Sequence, residues 1–456
     1  MNDPIPLPQP AMADGIFGGL VSAQGLDLNQ LESPQIQVQA WTTATGTGVK
    51  FVEARGLPIV DVMLRFKAGT TQDTSQPGLA ALTRHMLDEG SQRYTATQQA
   101  EHMERLGAFT EQKIHLEHAT LSLRSLSSKA LLDPALDLFI DLAANPAFPA
   151  PALEKVKRQL SQHNAARDRR PDARARNEVF RHLFKAHPYG TPLGSTAGGI
   201  RSVTPEDLRV FHQRAYCTSN LEIVLVGDLS LTEAQSIAQR ICQALPQGWP
   251  AIDLPAVPAA TGTTVNIDQA GASSALVLAV PINVPANDPD YPALVLASEV
   301  LGAGLESRLM TELRQRRGLT YGIYSRVSSM SAGGLFTIDW EIAPAYVQAT
   351  QALVETLLRD FIGHGPTQTE LDLARKQLAG HLLRGVAQNK SLAALLTELA
   401  HQNQPVDHLN TYIERIGRLT PEDIRTVMQR RLDLSHKVLV SVGTQVVQQA
   451  LPGLDQ

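Results

Sequence analysis

Apolar and polar residues alternate early in the chain and recur at helical spacing later. Val60, Val62, Leu64 and Phe66 fall on one side of an extended segment over 59–68, as in an antiparallel sheet covered on one face. Further strands are predicted at 36–40 and 49–53, and again at 274–280 and 335–342. Between the strands lie helical stretches. The clearest spans 78–90, where Leu79, Leu82, Thr83, Met86 and Leu87 share a face. At about 100° per residue, Ala81, Arg84 and His85 fall roughly opposite, outside the apolar stripe. Short buried strands at 221–226 and 437–442 each end at a glycine.

Those last two strands belong to a repeat. Thr204, Pro205, Glu206, Asp207 and Leu208 lead through Gln213 and Arg214 to Ser219, Val224, Val226 and Gly227. Thr420, Pro421, Glu422, Asp423 and Ile424 lead through Gln429 and Arg430 to Ser435, Val440, Val442 and Gly443, at a constant offset of 216 residues. Each copy reads as a threonine N-cap, proline at the first helical position and acids in the first turn, then a buried strand. A helix and strand matching in unbroken register imply duplication. Pro246, Pro250, Pro255 and Pro258 punctuate a stretch without periodicity. The predicted organisation is an N-terminal arm at 1–35, α+β halves at 36–245 and 263–450, and an extended linker at 246–262. Each half is expected to be a mostly antiparallel sheet packed with helices.

Composition narrows the function classes. The chain has 456 residues, 43% hydrophobic, with a net charge of -5. That balance offers no general field for nucleic acid or anionic lipid. Two cysteines, Cys217 and Cys242, cannot build a disulfide scaffold or a four-cysteine zinc module. No apolar run approaches the ~18 residues of a membrane span. The first basic residue is Lys50, so no positive leader region is present. A cytoplasmic protein and a processed chain both fit, and the polar, base-free arm favours a processed periplasmic chain.

The candidate chemistry lies in two strings. Pro77-Gly78-Leu79-Ala80, the helix, and Leu87-Asp88-Glu89-Gly90 resemble the zinc helix of the pitrilysin/insulinase metallopeptidases, which include the mitochondrial processing peptidases. Active members carry H-x-x-E-H, with two histidine ligands and a glutamate that activates water. Here the three positions read Ala81, Arg84 and His85. The family's third ligand, a glutamate on a later helix, falls at Gln162 or His163. The resemblance therefore implies no catalytic zinc and no cofactor in this chain. His85 reads as a remnant facing a cavity or partner, or, with His163, as part of an atypical metal site in a stand-alone peptidase. His115, Glu117 and His118 alternate within 113–123 and are expected on a solvated edge strand, with His115 and Glu117 on one side and His118 on the other.

The second string runs from Gly302 to Tyr324. Leu305, Leu309 and Leu313 are spaced for a helix that Gly318 should end in the left-handed region, followed by a strand over 319–325. Ser307-Arg308-Leu309, Leu313-Arg314 and Gly318-Leu319-Thr320-Tyr321 resemble the family's C-terminal half. In that family an arginine and a tyrosine, matching Arg314 and Tyr321, reach toward the facing zinc helix and hold the substrate backbone. Structural alternatives exist. Arg314, Arg316 and Arg317 suit the last turn of a helix, and Tyr321 suits a strand. The resemblance extends over roughly residues 36–445, including Arg170-Pro171-Asp172, His187-Pro188-Tyr189-Gly190 and Asn220. Only Gly302-Ala303-Gly304 stands where the non-catalytic mitochondrial subunit has a long glycine-rich loop. The resemblance implies the zinc-free subunit of a heterodimeric endopeptidase. Its partner would be a homologue with intact H-x-x-E-H and the zinc, its substrate a peptide. A non-catalytic core of a larger assembly is the alternative.

Overall fold

The computed structural model describes residues 32–73, 75–191 and 195–453. The arm expected at 1–35 lies outside the described residues up to residue 31. Strands β1 (Gln39–Thr42), β2 (Gly48–Glu53), β3 (Ile59–Phe66), β4 (Phe109–Ile114), β5 (Ala119–Leu126) and β6 (Leu221–Gly227) form one sheet, in the order β1-β2-β6-β3-β5-β4. Strands β7 (Thr263–Asp268), β8 (Ser274–Ile282), β9 (Ile323–Met330), β10 (Gly333–Ile342) and β11 (Val438–Gly443) form a second, in the order β7-β11-β8-β10-β9. Apart from the extra edge strand β1, the two orders are the same. Each sheet is antiparallel except for one parallel pair, β2 with β6 and β7 with β11. The α+β class and the two-fold design are as the sequence predicts.

The repeat has the same physical form in both copies. Thr204 accepts from the Asp207 amide at 3.2 Å, and Asp207 accepts from the Thr204 amide at 2.8 Å. Thr420 and Asp423 repeat this box at 3.2 and 2.8 Å. The terminal glycines are required: a Cβ on Gly227 would strike the Ile59 carbonyl, and one on Gly443 the Ser274 side chain. Thr204→Ala and Thr420→Ala should each cost about 1 kcal/mol, read as a lowered urea midpoint.

One expectation is corrected. The first sheet is covered on both faces, so Asp61 and Arg65 are buried along with Val60, Val62, Leu64 and Phe66. The first half's own helices cover one face. The other face carries Val52, Val224 and Val226, which pack against Leu382, Leu392 and Leu396. These leucines belong to the Gln368–Val386 and Asn389–His401 helices, which come from the second half. The exchange is reciprocal. The Pro171–Phe184 helix of the first half lays Ala175, Val179 and Leu183 on Val277, Val438, Val440 and Val442 of the second sheet. Each fully buried aliphatic side chain contributes roughly 1.5–3 kcal/mol. The halves thus share two cores and hold each other folded.

Candidate functional site

The helix at the zinc-motif position runs Leu79–Leu87. Its start is fixed by Asp73, whose carboxylate accepts from the Gly78 and Ala80 amides at 2.9 and 2.6 Å. Ala81 is buried with the apolar residues rather than set apart from them, a correction to the helical-wheel expectation. Its methyl is small enough to fit where the neighbouring helix packs.

Arg84 occupies the centre of the motif. Its Nη1 lies 2.8 Å from His85 Nδ1 and 3.7 Å from Asp88, and its Nη2 donates to the Gln112 carbonyl. Gln112 in turn donates to Asp88 at 2.6 Å. A guanidinium can only donate, so His85 Nδ1 accepts, and its lone pair is used. Burial, then the charges of Arg84 and His163, push the His85 imidazole down to about 4. Gln162 and His163 are exposed on the facing Ala150–Asp168 helix. These residues do not fit a zinc ion: two motif positions lack donors, a fixed cation stands beside the histidine, and the ring Arg84–Gln112–Asp88 closes on itself. No group of three or more metal-ligating side chains is placed to hold an ion among the described residues.

In the second half, Ser307 Oγ donates to the Gly304 carbonyl at 2.6 Å, and a helical turn follows at Arg308–Met310. The next turn, Thr311–Gln315, is wound as a π-helix, a form frequent at functional sites. The predicted helix is shorter than its leucine spacing implied. Leu305 lies before it and is exposed, because Gly302 breaks the helical path. Leu309 and Leu313 enter the core. Gly318 takes the left-handed conformation expected, with φ +61°. The strand starts at Ile323, not at residue 319. The intervening segment is held open by Arg314, whose Nη1 donates to the Tyr321 carbonyl at 2.9 Å.

The neighbouring arginines have other tasks. Arg308 makes a two-point pair with Glu370 at 2.6 and 2.8 Å. Arg316 and Arg317 pair with Glu312. Arg314 bonds no carboxylate among the described residues and is exposed. Tyr321 is 93% exposed, and its hydroxyl has no partner among them. Tyr321, Thr320 and Gly322 edge a pocket of about 460 Å³, with Asp172, Asp339 and Trp340 on its walls. The structure thus brings Arg314 and Tyr321 together. It does not bring Ala81, Arg84, His85, Gln162 or His163 to that pocket.

A third cluster escaped sequence reasoning. Residues 115–118 form the turn between β4 and β5, not a solvated edge strand. The alternation of the flanking strands simply runs on through the turn. Glu117 accepts from Tyr189 Oη, from the Ser331 amide at 2.9 Å and from His401 Nε2 at 2.8 Å. His401 Nδ1 receives Arg65 Nη1 at 2.9 Å, and Arg65 holds Glu222 at 2.7 and 2.9 Å. His118 stacks on His115 with ring centroids 4.5 Å apart and lies 5.0 Å from His401. Ser331 and His401 come from the second half, so this network bolts the halves together. The string His187-Pro188-Tyr189-Gly190 was its one sequence signal, through the buried Tyr189.

A duplicated two-sheet fold with a closed-off inverted zinc motif defines a metallopeptidase-type chain lacking the metal centre. Comparison with known proteins agrees. Residues 52–197 match the profile of the insulinase family, peptidase family M16, and residues 202–378 match that of the peptidase M16 inactive domain. The crystal structure of a peptidase M16 inactive domain from Pseudomonas fluorescens is 35% identical. It covers 91% of this chain and 100% of that one, with a TM-score of 0.88. A Helicobacter pylori protein named non-peptidase homolog YmxG is 25% identical over 92% of this chain and 94% of its own. An uncharacterized zinc protease of Mycobacterium leprae is 22% identical over 82% and 84%. The chain belongs to the insulinase family, peptidase family M16. No helix among the described residues is long and apolar enough to cross a membrane.

Proposed function

We propose that the chain is the zinc-free subunit of a two-chain endopeptidase, in which Arg314 and Tyr321 hold a peptide against the zinc centre of a homologous partner. The observation that carries this reading is the contrast between the two strings. The motif helix has turned its functional positions inward, to Arg84 and its ring of partners. Arg314 and Tyr321 stay exposed, adjacent and without competing partners, beside a pocket large enough for a side chain.

The chemistry assigned to this chain is positioning. The free donors of the Arg314 fork and the Tyr321 hydroxyl meet the substrate carbonyl and, as the carbonyl carbon becomes tetrahedral, its oxyanion. β9 is an edge strand beginning at Ile323, so an extended peptide can pair along it and present a carbonyl to both groups. The partner's zinc supplies the activated water.

The name of the Helicobacter pylori relative favours a second reading, a non-catalytic core of a larger assembly. Co-expression with a homologue carrying H-x-x-E-H separates the two. The expected result is a stable 1:1 complex that cleaves unfolded peptides, while each chain alone is inert. A complex without peptidase activity would favour the core, and stoichiometric zinc in this chain alone would refute both.

A further inference from the structure

The second half contains a pocket that the peptidase reading does not use. It measures about 350 Å³ and lies where the Gln368–Val386 and Asn389–His401 helices leave their own half to cover the first sheet. Its walls are apolar, built from Val295, Leu378, Leu382, Leu395 and Leu399. A cavity of this size and lining, with a few polar groups, is the usual form of a small-molecule site.

Polar side chains of Tyr291, His381, Gln402, Gln404, His408 and Tyr412 also line it; Gln402 and Gln404 donate to Glu398 and to the Ala286 carbonyl, whereas the two tyrosine hydroxyls and His408 Nε2 have no hydrogen-bond partner among the described residues. His408 receives Arg415 Nη1 on its Nδ1 at 3.2 Å. A guanidinium only donates, so the His408 proton sits on Nε2. Burial, then the Arg415 charge, push this imidazole down to about 4, keeping it neutral. The hydroxyls of Tyr291 and Tyr412 are the other two donors. Burial pushes both phenols up to about 12, so both keep their protons. The His408 and Tyr412 rings are 5.5 Å apart. None of these donors is fully enclosed, so an apolar molecule with an acceptor oxygen can reach them from the cavity.

We propose that this pocket binds an uncharged, largely apolar molecule carrying one carbonyl oxygen, with the Tyr291 and Tyr412 hydroxyls as the donors to that oxygen. The pocket is lined by neither Arg314 nor Tyr321.

Benzophenone and diphenylmethane are suitable probes, since they differ only in the carbonyl. Ligand-observed NMR titration of the full chain should show saturable binding of one benzophenone per chain. Diphenylmethane should bind about 5–10-fold more weakly, the worth of one good hydrogen bond. Val295→Trp, which fills the pocket from a half-buried position, should abolish binding of both. The double variant Tyr291→Phe/Tyr412→Phe keeps the shape, and should erase the preference for benzophenone while leaving diphenylmethane unchanged. If Val295→Trp fails to fold, the double variant still decides. Absence of saturable binding, equal affinity for the two probes, or an unchanged preference in the double variant would each overturn the proposal.

Discussion

In the reconstituted two-chain enzyme, Arg314→Ala is expected to lower kcat by about 100-fold or more. That is the usual cost of removing a donor aimed at a developing oxyanion. KM should move much less, because the contact strengthens as the carbonyl carbon becomes tetrahedral. Tyr321→Phe removes a hydroxyl from a ring that is 93% exposed. It should also lower kcat, with no measurable change in folding stability. Zinc content and complex mass should stay at wild-type values in both variants. Arg314 has a local duty as well, the hydrogen bond to the Tyr321 carbonyl. Arg314→Lys can restore a charge but not the planar fork. Weak rescue by lysine would therefore point to the two-donor geometry. Wild-type turnover in Arg314→Ala and Tyr321→Phe would remove the pair from the chemistry and leave the structural-core reading.

The sequence was most informative where function depends on a few neighbouring residues. The degenerate motif was readable because Ala81, Arg84 and His85 lie within one helical turn. The capping boxes were readable for the same reason. What long-range packing decides was not. The strand alternation in β3 implied one covered face, but helices from beyond residue 367 cover the other, and no local pattern announces a partner so distant. The leucine spacing at 305, 309 and 313 implied a longer helix than forms, since Gly302 departs from helical dihedrals. Glu117 looked like a surface residue because its partners, at 189, 331 and 401, lie far along the chain.

Glu117 is also where the second large effect is expected. Glu117→Ala should cost about 3 kcal/mol, the low end for leaving three buried hydrogen-bond donors unpaired at about 1–3 kcal/mol each. It strands three donors, the Tyr189 hydroxyl, the Ser331 amide and His401 Nε2. The low end applies because Glu117 and His401 also line a cavity of about 600 Å³ that admits water. The same network should make the fold acid-sensitive. Burial would raise the Glu117 carboxyl, but hydrogen bonds from His401 and Tyr189 outweigh it and hold the group at about 2 against an ordinary 4.5. Its stabilising contribution is complete above about 4.5 and is lost as pH falls toward 2. Burial, then the charges of His115, His401 and Arg65, hold His118 at about 2 against 6.5. The unfolded chain takes up that proton below about 6.5 and the folded chain does not, so this group also loses stability on acidification. His85, His212 and His408, each held near 4, act with the same sign. Asp73, pushed up to about 7 by burial, acts with the opposite sign, but the four histidines outweigh it, so urea midpoints should fall between about pH 6.5 and pH 4. His118→Phe should flatten part of that slope above pH 4.5, and Glu117→Ala should flatten it below. A midpoint independent of pH across this range, or a Glu117→Ala variant as stable as wild type, would mean that the bolt between the halves carries no load.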